Sequence, residues 1–154
     1  MPAICLDSEG YLHVLIGAHG EPFHYTRSLK PNDAYSGWTQ PVEALSAGYV
    51  TEETDEDGRG RQTYISLVCD QNDTLHSAFR QWRLNADEHW PGKNYAALSV
   101  QSKPKDGPWG PARPIVVPPV PGYSIYYHKL TVDRLGRLYL SYSHWTSDTT
   151  YQDE

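Results

Sequence analysis

The chain has little cysteine. Only Cys5 and Cys69 occur in 154 residues, too few and too far apart for a disulfide framework or a CxxC site, so both are expected to be buried free thiols acting as small hydrophobes. Phenylalanine is scarce as well, two residues against twelve tyrosines. That skew suits half-buried strands and polar, sugar-like surfaces better than a dense aliphatic interior. No apolar run reaches the ~18 residues of a membrane span, and the opening MPAICLDSEG has neither the basic nor the apolar region of a signal peptide. As given, the chain is expected to carry no export signal and no membrane span. Positive charge is in deficit, with 13 Lys and Arg against 19 Asp and Glu and a formal charge of −6. This argues against a general binder of nucleic acid or anionic membranes, while leaving room for a polyanion held by a few local Arg and Lys. There is no HExxH, no Cys/His pair at zinc spacing, no phosphate-binding or dinucleotide loop, and no G-x-S-x-G elbow. Helical periodicity is missing too. Its nearest approach, QWRLNADEHW (81–90), reads as a loop.

What the chain does contain is enough apolar residue, 38% with five tryptophans, to bury a core, and one soluble domain spanning 1–154 is expected. Twelve Pro and twelve Gly punctuate short elements. The informative feature is a repeat. LDSEGYLHVLIGAH from Leu6, CDQNDTLHSAFRQW from Cys69 and VDRLGRLYLSYSHW from Val132 align without gaps, with Asp7, Asp70 and Asp133 spaced by 63 residues. Each reads apolar, Asp, two variable residues, a turn-former (Gly10, Asp73, Gly136), any residue, Leu, then His or Tyr. Upstream, TYISLVCD (63–70) lies over YYHKLTVD (126–133), which pairs Tyr64 with Tyr127. Alternating β-rich runs around such a turn predict antiparallel hairpins. Recurrence at a fixed period predicts all-β architecture, with the blades of a β-propeller. The period exceeds the about 40 to 50 residues usual for a blade, which implies loop insertions. At that period the chain makes about two and a half blades where closed propellers have about four to eight. The remaining blades are expected in a longer chain or by self-association.

Within that frame three residues converge. Tyr64 on an inner strand and Arg80 on the next strand lie about equally far from the turn at 71–73, which makes them near cross-strand partners at the open end of the hairpin. His19 ends the corresponding strand of the preceding repeat, after the apolar run VLIG, and is expected at the same end of the neighbouring blade. The trio suits proton abstraction next to a carboxylate. A guanidinium clamps and neutralises the carboxylate, a neutral imidazole serves as general base, and a phenol takes or gives a proton at the leaving oxygen. The bland alternatives are a structural histidine, a packed tyrosine and a solvated arginine. Trp82, Tyr123, Tyr127 and His128 are candidates for substrate binding, with aromatic rings stacking on sugars. His13 and His76 occupy equivalent repeat positions and are expected to be structural. ETDEDGRGR (53–61) contains Asp-x-Asp-Gly but lacks the other ligands of a calcium loop. It reads as a solvated inter-blade loop, and no cofactor is expected beyond an optional structural calcium.

DSEGYLHVLIGAHGEPFHYTRS, followed by GWTQPV and DRLGRLYLSYSHW, resembles the BNR-4 repeat proteins, sialidase-like seven-bladed β-propellers that include the ulvan lyases and related rhamnose-glucuronate lyases. The resemblance covers nearly the whole chain. It implies a secreted or periplasmic protein that cleaves an acidic, uronate-containing polysaccharide by β-elimination. His19, Tyr64 and Arg80 fall where that family carries its active-site His, Tyr and Arg. Arg80 would then neutralise the uronate carboxylate, and His19 and Tyr64 would share proton abstraction and donation. The same resemblance implies a further histidine upstream of His19, ahead of Met1 in this numbering. A sialidase- or rhamnosidase-like hydrolase and a non-catalytic carbohydrate-binding propeller are the alternatives.

Overall fold

The computed structural model describes residues 2–17, 23–43, 62–83, 95–120, 122 and 124–144, and these form three antiparallel sheets with no helix among them. The first sheet contains β1 (Ala3–Leu6), β2 (Leu12–Gly17), β3 (Phe23–Lys30) and β4 (Asp33–Trp38) in sequence order, with the short β5 (Val42–Glu43) also pairing β3. The second runs β6 (Gln62–Cys69), β7 (Leu75–Arg83), β8 (Tyr95–Lys103) and β9 (Arg113–Val116). The third is the hairpin of β10 (Ile125–Val132) and β11 (Leu138–His144). Meanders of this kind, repeated along the chain, are partial propeller blades. Gln81, Trp82 and Arg83, expected at the start of a loop, instead continue β7 and pair with Ala97, Ala96 and Tyr95 of β8.

One device builds all three inner hairpins. The Oδ1 atoms of Asp7, Asp70 and Asp133 each accept two backbone N–H bonds: from Glu9 and Tyr11, from Asn72 and Thr74, and from Leu135 and Arg137, at 2.8 to 3.0 Å. A carboxylate placed this way replaces the ladder bonds that the turn cannot make, which is why aspartate recurs there. The third residue after each aspartate has positive φ: Gly10 at 88°, Asp73 at 58° and Gly136 at 76°. The second carboxylate oxygen is also used, by His13 at 2.9 Å, His76 at 3.1 Å and Tyr139 at 3.1 Å. His13 meets the Tyr25 hydroxyl through its other nitrogen, and His76 meets Ser102 likewise, both at 2.7 Å. The two histidines are structural, as their repeat positions predicted.

The sheets stack with a polarity. Between the first and second lies the core cluster of Leu15, Phe23 and Tyr25 against Leu67, Leu75, Phe79 and Trp109, each buried side chain stabilising by about 1.5–3 kcal/mol relative to exposure. Phe23 meets Phe79 edge-on at 6.2 Å and Tyr25 meets Trp109 likewise at 5.7 Å. Ala3 and Cys5 pack on this cluster from β1, and Ile65 and Cys69 from β6. Both cysteines are free and half-buried. Burial pushes the Cys5 thiol up to about 12 and the Cys69 thiol up to about 11. A polar clasp joins the two turns: Asp73 accepts from the Ser8 N–H at 2.7 Å, the Ser8 hydroxyl at 2.8 Å and the Lys105 ammonium at 2.9 Å, and Lys105 also reaches Glu9. The third sheet lies against the second through Leu130, whose N–H donates to the buried Ser66 hydroxyl at 3.0 Å.

Candidate functional site

The end of the second sheet opposite its Asp70 turn gathers the chemistry. On β6 and β7 the register pairs Thr63 with Arg80 and then resumes at Ser66 with Ala78, so the intervening pair of residues forms an irregularity. Tyr64 sits in it with φ at 53°. This is the left-handed region, which an aromatic residue adopts only when its surroundings impose it, at a cost on the order of 1–3 kcal/mol. The register slip explains the conformation. It turns the phenol out of the alternation of the strand and under Arg80, whose guanidinium lies 4.6 Å from the Tyr64 ring centroid.

Arg80 is 3% exposed. Its Nε donates to the Thr63 hydroxyl at 3.0 Å, and its Nη1 reaches the Ile125 carbonyl at 3.5 Å. A cation stacked on an aromatic face in such a desolvated position gains more than it would in water. The planar guanidinium is therefore oriented by its cross-strand neighbour, by a neighbouring sheet and by the ring beneath it. Such an arrangement is suited to bind a carboxylate, because a fixed fork matches the two oxygens. Tyr127, the repeat equivalent of Tyr64, meets the Tyr64 ring edge-on at 5.2 Å and is 64% exposed.

Of the residues singled out from the sequence, the structure brings Tyr64 into contact with Arg80 on one side and Tyr127 on the other. His128 stands at the same place but between sheets: it is half-buried, and its Nε2 meets the Ala78 carbonyl at 2.9 Å. Burial, and after it the nearby Arg80 charge, hold this imidazole below the ordinary histidine range. Trp82 lies two residues beyond Arg80 on β7, half-buried and opposite Ala96. His19 and Tyr123 lie outside the described residues, as does the acidic stretch 53–61. Among the described residues no group of His, Cys, Asp or Glu is arranged to hold a metal ion. Sequence reasoning missed Thr63 and the Ile125 carbonyl. Neither was findable: counting outward from the turn pairs Arg80 with Tyr64, and only the register slip between Thr63 and Ser66 brings Thr63 opposite it, while the carbonyl is delivered by the packing of two sheets.

Comparison with curated proteins finds no match. A family model described as a BNR repeat-containing family member matches residues 1–149. With nearly the whole sequence matched and its hairpins stacked as partial blades, the chain belongs to the BNR repeat-containing family.

Proposed function

We propose that the chain is a polysaccharide lyase-like protein acting on a uronic-acid-containing, ulvan-like polymer by β-elimination. The observation that carries this reading is Arg80, buried and oriented over a tyrosine held at φ 53°. Backbone strain of this kind concentrates where function demands a particular side-chain position. In the reaction a base removes the proton from the carbon next to the carboxylate. The electron pair forms a carbon–carbon double bond, the bond to the glycosidic oxygen breaks, and that oxygen takes a proton. Negative charge develops on the carboxylate as the proton leaves, and Arg80 neutralises it where it appears. Tyr64, beneath the guanidinium, and His19 share proton abstraction and donation. No cofactor is needed for these steps.

The wider family assignment supports a carbohydrate-active, sialidase-like protein, and the elimination chemistry is the finer reading. Its partners are an acidic polysaccharide and further blades of the same repeat, in a longer polypeptide or a second copy. Exposed Tyr127, Tyr139 and Tyr142 favour a second reading, a carbohydrate-binding propeller in which the rings stack on sugars. Incubation with ulvan and other uronate polymers, followed by the ultraviolet absorbance of the unsaturated product, separates the two. Elimination predicts a rise that Tyr64→Phe abolishes. Binding to an immobilised polymer without any rise would replace the lyase reading with the binding one.

A further inference from the structure

Two hydrogen bonds cross between the second and third sheets beside Tyr64, and they run in opposite directions. Arg80, on β7, reaches the backbone carbonyl of Ile125 on β10, while His128, on β10, reaches the backbone carbonyl of Ala78 on β7. A carbonyl oxygen only accepts, so His128 Nε2 carries a hydrogen. The proton lies there and not on Nδ1, because burial and the neighbouring Arg80 disfavour the doubly protonated ring. Nδ1 is buried with no hydrogen-bond partner among the described residues. The bonds are unequal. At 3.5 Å the arginine bond is at the long limit for an N–H···O contact, whereas 2.9 Å is the usual length of a full one. Ala78 and Arg80 are two apart on one strand, so the carbonyl that His128 grips belongs to the short piece of backbone that carries the guanidinium.

We propose that His128 is a positioning residue for Arg80: the two side chains form a reciprocal clasp, each bonded to the strand that carries the other, and the clasp fixes the guanidinium over Tyr64. This rests on the reading of Arg80 as the carboxylate clamp. It gives His128 a role different from sugar contact, and it makes the third sheet part of the site without a reacting group of its own.

The test compares His128→Asn and His128→Phe with His128→Gln. Glutamine places an amide N–H near the position of Nε2, whereas asparagine is too short to reach Ala78 and phenylalanine keeps the ring without the donor. The first readout is the ¹⁵N–¹H signal of Arg80 Nε, assigned by its loss in Arg80→Lys. Its exchange with water should quicken at least about tenfold in the Asn and Phe variants and return towards wild type in Gln. Thermal midpoints are measured alongside. The second readout is elimination: kcat/KM should fall by about tenfold to a hundredfold through kcat, as misplacement of a clamp predicts, with Gln restoring it. Unchanged Arg80 exchange in Asn and Phe, or no rescue by Gln, overturns the proposal. Unfolding of both variants overturns it too, because His128 would then be a fold residue. Absence of unsaturated product from the wild type defeats the elimination reading alone, since the Arg80 exchange readout is independent of turnover.

Discussion

Tyr64 concentrates the residue-scale argument. Its positive φ is tolerated because the slip between Thr63 and Ser66 requires it, and glycine would occupy the same conformation without strain. Tyr64→Gly is therefore expected to be more stable than Tyr64→Ala by about 1 kcal/mol, read from denaturant midpoints, while both lose elimination. The order would reverse if the conformation were unstrained. The cysteines make a second residue-scale prediction. With both thiols pushed up by burial, to about 12 and about 11, the thiolate is scarce at mildly alkaline pH. Native protein should react with iodoacetamide far more slowly than protein in urea, as mass spectrometry of the alkylated chain would show. Fast labelling of the native chain would contradict the burial.

At the scale of the element, the inner hairpins depend on the aspartate turn and on what joins one turn to the next. Asp73 is held down to about 2 by its bonds from the Ser8 backbone, Lys105 and the Ser8 hydroxyl, against an ordinary value of 3.8. Because the folded value is the lower one, the stabilisation is fully present above about 4 and is lost as pH falls towards 2. Asp73→Asn should therefore unfold at lower urea than wild type at neutral pH, and the difference should shrink to near zero around pH 2. A difference that persists in acid would mean that Asp73 acts through its turn conformation and not through its charge. The turn itself was legible beforehand. Aspartate followed by a turn-former at a fixed offset, three times at one period, leaves little freedom for the backbone between two β-branched runs. The irregularity at Tyr64 was not legible, because nothing in QTYISLVC distinguishes a slipped strand from a regular one. Its cause is the pairing with β7 and the packing beneath Arg80.

At the scale of the whole molecule, the first two sheets share one core, to which both contribute large apolar side chains. In the second sheet Leu67, Cys69 and Phe79 turn toward the first and belong to the core or pack on it. Their repeat equivalents in the first sheet are Ile4, Leu6 and Ile16, which are 58%, 52% and 37% exposed. We propose that this apolar face, buried in one repeat and exposed in the next, is a contact surface for another blade. The chain alone is expected to associate with rising concentration, and Ile4→Glu with Leu6→Lys should shift sedimentation velocity profiles to monomer. If the unmodified chain stays monomeric across the range, these residues do not form a contact between copies.

The sequence alone was enough for the all-β class, the period, the three aspartate turns and the pairing of the β6 region with the β7 region, because each depends on residues within a few positions of one another or on a recurring pattern. It was also enough to bring Tyr64 and Arg80 toward one end of a hairpin. Tertiary structure decided the rest. The strain at Tyr64, the tie of Arg80 to Thr63 and Ile125, and the seat of His128 on Ala78 arise where strands distant in sequence meet. Which face a side chain takes, and whose carbonyl it finds there, is set by register and by the stacking of sheets, and neither is encoded in any single stretch of chain.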